Sequence, residues 1–180
     1  MIAPGCDAGQ GTRASFVARD FTLPSVPQDA VIHISAQGLY RCFINGIPVG
    51  HDLLTPGWTN YDDRIAYQSY PVSALLRTGP NRIEIWLGDG WYRSQMMWAA
   101  APIYNCWGDR VAAIAEIEAA GAAILKTGTD WASGLLPVTK SGISYGEDHD
   151  ARQATPQRCM TRMWKSRRNS LACRTGNRLH

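Results

Sequence analysis

At 180 residues the chain has room for one domain and a short appendage, and its 45% apolar content is ordinary for a packed core. No apolar run approaches the roughly 18 residues of a membrane-spanning helix, and five cysteines without a C-x-x-C pair argue free buried thiols over a disulfide framework or zinc site. The net charge of +3 hides a divide: residues 1–150 carry 10 Lys+Arg against all 15 Asp+Glu, whereas residues 151–180 carry 8 basic residues and no acid. The first seven residues, Met1 to Asp7, lack the charge-then-apolar pattern of a secretory signal. A cytoplasmic protein, or a piece missing its true start, is expected.

In chain order, residues 14–23 read as an opening strand closed by Pro24 and Pro27. Ala30 to Ala36 alternates, with Ile32 and Ile34 on one face and Val31 and His33 on the other. Leu39 to Asn45 is a further strand, and Asn45-Gly46 is a strong hairpin signal because both residues tolerate positive φ. Residues 50–66 form a long polar connection, of the kind that is often functional. Tyr67 to Val72 is a short strand, Ser73 to Leu76 a single turn of helix, and residues 78–81 a turn. Arg82 to Leu87 alternates again and leads into Gly88-Asp89-Gly90-Trp91-Tyr92-Arg93. Residues 111–118 alternate and Gly121 interrupts the run, which favours strands over an alanine-rich helix. Asp130-Trp131 lies in a further strand or turn, and Glu147 to Asp150 reads as a solvated loop. Many short strands between turn signals predict an all-β sandwich.

The Gly88 segment places a carboxylate and flat apolar rings side by side. Sugar sites need that pairing: polar groups for the hydroxyls and an aromatic face for the C–H side of the ring. With the facing loop, residues 56–64, it supplies the candidate carbohydrate contacts Trp58, Asp62, Asp89, Trp91, Tyr92 and Arg93. Tyr92 and Arg93 are expected to be exposed. Trp58 and Trp91 suit equally a stacking role and a plug at the end of the sandwich. Trp98 and Trp107 read as packing residues.

Residues 153–180 show no alternation and no acid, a composition expected to be disordered. An out-of-frame reading of the gene beginning near Gln153 to Arg158 is a further expectation. With a CGN codon at Arg162, translating the Cys159 to Lys165 stretch two bases later yields an acidic, strand-like segment. A basic tail on an acidic body also admits a nucleic-acid-binding adaptor. No G-x-x-x-x-G-K motif or patterned basic face in residues 1–150 accompanies it.

Five pieces in order carry a resemblance: Gly38-Leu39-Tyr40; Phe43 to Gly50; Leu54-Thr55-Pro56-Gly57-Trp58-Thr59-Asn60-Tyr61; Tyr67-Gln68-Ser69-Tyr70; and Leu87 to Tyr92. With Tyr145-Gly146-Glu147 and Asp150-Ala151-Arg152, residues 14–152 resemble the N-terminal β-sandwich module of bacterial α-L-rhamnosidases. The resemblance implies a jelly-roll-like, galactose-binding-like sandwich ahead of an α/α-barrel catalytic domain that hydrolyses terminal α-L-rhamnosides with inversion. That barrel is not in these 180 residues. The expected role is therefore non-catalytic, binding L-rhamnose or rhamnosides or bracing the barrel. The resemblance also implies a calcium ion, Ca2+, shared with the sugar at Asp62 and Asp63, and Asp63 stands where the calcium-binding pattern has an amide.

Overall fold

A computed structural model describes residues 1–96 and 102–153, and all that follows concerns those residues. Eleven strands form in order: β1 (Ser15–Leu23), β2 (Val31–Gln37), β3 (Leu39–Ile44), β4 (Ile47–Pro48), β5 (Gln68–Pro71), β6 (Gly79–Gly88), β7 (Ala112–Ala119), β8 (Ala122–Lys126), β9 (Ala132–Leu135), β10 (Val138–Gly142) and β11 (Gly146–His149). The regular helix is confined to short pieces, of which α1 (Gly90–Arg93) matters most. No helix is long and apolar enough to cross a membrane.

The strands make a five-stranded sheet in the order β4-β3-β6-β1-β9, a four-stranded sheet in the order β5-β2-β7-β8, and the hairpin β10-β11. Every strand pair is antiparallel. Period-two alternation drives the packing. Val17, Cys42, Ile44, Ile83, Ile85 and Leu87 from the larger sheet meet Ile32, Ile34, Ala36, Ala113, Ala115 and Ile117 from the smaller one, all buried. Residues 111–126 are thus strands, as the alternation predicts.

The larger sheet is also covered on its outer face. Ala14, Phe16 and Ala18 pack with Leu136 and Val138, and Trp86 leans on this second cluster. Its ring lies 4.5 Å from Phe43 and its indole N–H donates to Glu84 Oε1 at 2.6 Å. A strand buried on both faces loses its alternation, which is why β1 begins with four consecutive buried residues.

Three local expectations need correction. Residues 79–81 belong to β6 rather than to a turn. Pro80 is tolerated because β3 pairs with β6 only from Ile83 onward, so Pro80 faces a partner, Thr22, on one side only. Glu147 to His149 lie in β11, an exposed strand rather than a loop. Residues 90–93 form a helical turn where only loop was expected. Asn45 and Gly46 take φ of 51° and 80° at the β3–β4 hairpin, as their sequence predicts. The tail from residue 154 on and Trp98 lie outside the described residues.

Candidate functional site at the sandwich rim

The site is built where the strands of both sheets end together. β6 finishes at Gly88, opposite Leu39 at the start of β3, while Gln37 at the end of β2 faces Ala112 at the start of β7. Gly38 crosses between the sheets at φ 108°, and a Cβ there would run into the Gly88 carbonyl and touch Val111. Gly90 has φ 56°, and a Cβ on it would lie 2.6 Å from Leu39 Cγ. These two positions admit only glycine, so the loop after β6 lies directly on the β2–β3 crossing.

The facing loop is fixed to the same place. Tyr40 N–H donates to the Thr55 carbonyl and Thr55 Oγ1 donates to the Tyr40 carbonyl, each at 2.9 Å. Gln68 Nε2 donates to the Pro56 carbonyl at 3.0 Å, and its Oε1 accepts from the Tyr40 hydroxyl at 2.7 Å. The Thr55–Pro56 bond is cis. Beyond it, a turn forms in which Asp63 and Arg64 N–H both donate to the Asn60 carbonyl. Thr59 Oγ1 donates to the Arg64 carbonyl at 2.6 Å and Asn60 Nδ2 to Asp63 Oδ2 at 2.6 Å.

Aromatic rings join the two loops. Trp58 lies within 9° of parallel to Trp91, centroids 6.4 Å apart, and meets Trp107 at 6.3 Å and 68°. Tyr61 packs edge-on to Tyr92 at 5.2 Å and against Trp107 at 5.1 Å. Trp58 nevertheless stays 58% exposed, and Trp91 and Trp107 are half-buried. A shallow depression of about 390 Å³ is lined by Trp58, Thr59, Asn60 and Trp107. Asp62, farther along the same loop, is exposed. Burial raises the Tyr92 hydroxyl above its ordinary pKa, and the nearby charges of Asp109 and Asp62 raise it further.

Beneath the rings is a buried ion network. Arg93, only 2% exposed, donates through Nε to Asp89 Oδ1 at 2.7 Å and through its terminal nitrogens to both oxygens of Asp7 at 2.6 and 2.8 Å. It also donates to the Asp109 carbonyl at 2.9 Å, and Asp89 Oδ2 accepts the Gly11 N–H at 2.8 Å. Burial alone would raise the Asp7 pKa, but the hydrogen bonds and charge of Arg93 outweigh it and hold the carboxyl below its usual range.

The expectation that Tyr92 and Arg93 are exposed is therefore overturned: both are buried, as is Asp89. Their polarity signals support of the rim from inside. The reason is non-local, since Asp7 completes the network from 86 residues away. Trp58 and Trp91 lie against each other, and Trp107, which the sequence assigned to packing, joins them, while Asp62 is near enough to Tyr92 for its charge to act on the hydroxyl.

The donors for calcium are few. Asp62 and Asp63 offer exposed carboxylates on one turn. In the Gly88 loop, the Asp89 and Gly90 carbonyls accept from Arg93 and Ser94. Among the described residues no group of three or more His, Cys, Asp or Glu gathers to hold an ion. The two carboxylates supply only part of the six to eight oxygens calcium takes.

Residues 25–174 match the α-L-rhamnosidase N-terminal domain. The α-L-rhamnosidase of Streptomyces avermitilis is 33% identical over 159 residues, which are 86% of this chain and 15% of that protein. One from Formosa agariphila is 27% identical over 147 residues, 80% of this chain and 16% of its own length. The crystal structure of the Aspergillus terreus enzyme superposes with a TM-score of 0.77 at 28% identity, over 83% of this chain and 18% of that one. The Streptomyces avermitilis enzyme complexed with L-rhamnose superposes with a TM-score of 0.74 at 32% identity, over 81% and 14%. The chain thus spans about a sixth of the length of the relatives it matches.

Proposed function

Because the chain belongs to the α-L-rhamnosidase N-terminal domain family, we propose that it is a non-catalytic carbohydrate-binding module that holds L-rhamnose or a rhamnoside end at the rim. The observation that carries this reading is Trp58. A large indole left 58% exposed and parallel to Trp91, on the same loop as the exposed Asp62 carboxylate, is a poor plug and a good sugar platform. The sugar's C–H face stacks on Trp58, and its hydroxyls meet Asp62 and the polar turn at Thr59 and Asn60. Trp91 backs the platform, while Asp89, Tyr92 and Arg93 act from beneath. Calcium enters this reading as a shared ligand, held by Asp62 and Asp63 with sugar hydroxyls and water filling the shell.

Hydrolysis is assigned to the parts of the longer relatives that this chain does not span. An inverting pair of carboxyls stands about 6.5–9.5 Å apart across a water. Asp62 and Asp63 are instead neighbours on one exposed turn, and Asp89 is bound to Arg93.

Titration calorimetry with L-rhamnose, with and without calcium, tests the reading. Binding heat that disappears in Trp58→Ala and Asp62→Ala supports it. Absence of heat at millimolar sugar overturns it and leaves a bracing role for the module. Calcium-independent binding removes the ion alone.

A further inference from the structure

The rim is a corner rather than a flat platform. Trp58 and Trp91 run parallel, but Trp107 stands at 68° to Trp58 with its centroid 6.3 Å away. Both Trp58 and Trp107 line the same depression, together with Thr59 and Asn60. The Trp107 ring packs against Tyr61 at 5.1 Å, and its backbone N–H donates to the Tyr92 carbonyl at 3.3 Å. The turn carrying Thr59 and Asn60 is held through Thr59 to Arg64 and Asn60 to Asp63. A site set before the ligand arrives loses little entropy on binding.

The angle has a consequence for ligand shape. A pyranose stacks on an indole through its C–H face. Where two sugars are joined by equatorial bonds the chain runs flat, and the second ring needs an aromatic surface coplanar with the first. Where the bond is axial the second ring turns out of the first ring's plane. Two indoles at 68° match the bent pair and not the flat one.

Resting on the sugar-binding reading above, we propose that the rim takes two consecutive sugar units joined by an axial glycosidic bond, one on Trp58 and the next against Trp107. The ligand class is thus an α-linked rhamnose-containing disaccharide, or the end of a longer glycan of that kind, and Trp107 is a specificity-determining residue.

Calorimetry on the full chain with methyl α-L-rhamnoside, an α-linked rhamnobiose and cellobiose tests this. The rhamnobiose is expected to bind about tenfold or more tighter than the methyl glycoside, with no measurable cellobiose binding. In Trp107→Ala the ratio of the two rhamnoside affinities falls to about one. Trp107→Leu, which keeps bulk against Tyr61, is expected to do the same, and near-UV circular dichroism checks that both variants are folded. Equal affinity for mono- and disaccharide, an equal gain for cellobiose, or a ratio unmoved in folded Trp107 variants overturns the proposal while leaving the sugar-binding reading standing. No heat with any of the three sugars overturns both.

Discussion

Arg93 grips Asp7 with both terminal nitrogens, at 2.6 and 2.8 Å, although 86 positions separate them. The N-terminal segment is thereby drawn over the end of the sandwich, and the helical turn carrying Trp91 is fixed to the strands' ends. Removing one member of so buried a network leaves a charge without its partner. Arg93→Ala is expected to destabilise the fold by about 3–5 kcal/mol, measured by urea unfolding. Arg93→Lys should recover little of the loss, because an ammonium cannot reproduce a fork that meets two carboxylates and a carbonyl.

The same network sets an acid limit. Asp7 has a folded pKa below its unfolded value. Its contribution is therefore complete above the ordinary aspartate range of about 4 and declines as pH falls from there through the lower folded value. Unfolding midpoints measured across this acid range should drop for the native chain. The drop should be shallower in Asp7→Asn, which starts from lower stability at neutral pH.

The crossing at Gly38 leaves no room for a side chain. With φ at 108° and the Gly88 carbonyl in the way, Gly38→Ala is expected to cost more than backbone strain alone, which is about 1–3 kcal/mol. Gly57, equally left-handed at φ 97° but with open space where a Cβ would go, should suffer only the conformational part. Thermal unfolding of the two variants side by side separates clash from backbone strain.

The thiols should divide sharply. Burial pushes the Cys42 thiol far above its ordinary pKa, with only a weak opposing hydrogen bond from the Phe43 backbone. Cys106 is exposed. Iodoacetamide at neutral pH, read by peptide mass mapping, is expected to label Cys106 and spare Cys42 until the chain is unfolded.

Trp58 separates function from stability. Because it is 58% exposed, Trp58→Ala should change unfolding free energy by about 0.5 kcal/mol or less while abolishing rhamnose binding. A Trp58→Ala chain that unfolds much more easily would mark the indole as a plug, against the reading offered for it.

Most of the sandwich could be read directly from residue order. Alternation in residues 31–37, 82–87 and 112–119 reports a strand with one face in the core, and that pattern is local. Asn45-Gly46 announced its hairpin for the same reason: the two residues that need positive φ are the two that make the turn. The strands β9 to β11 escaped notice because their faces are small, polar or exposed, so no apolar period marks them. Only tertiary structure decided what the polar residues of the rim do. Asp89 and Arg93 look from sequence like a sugar's hydrogen-bonding partners, and they became a buried support because Asp7 arrives from the far end of the chain. Conversely Trp107 looked like a packing residue and came to line the depression, because Trp58 and Tyr61 of the facing loop meet its ring there. A residue's own chemistry sets which contacts it can make; which of them it does make depends on partners that the order of residues does not place beside it.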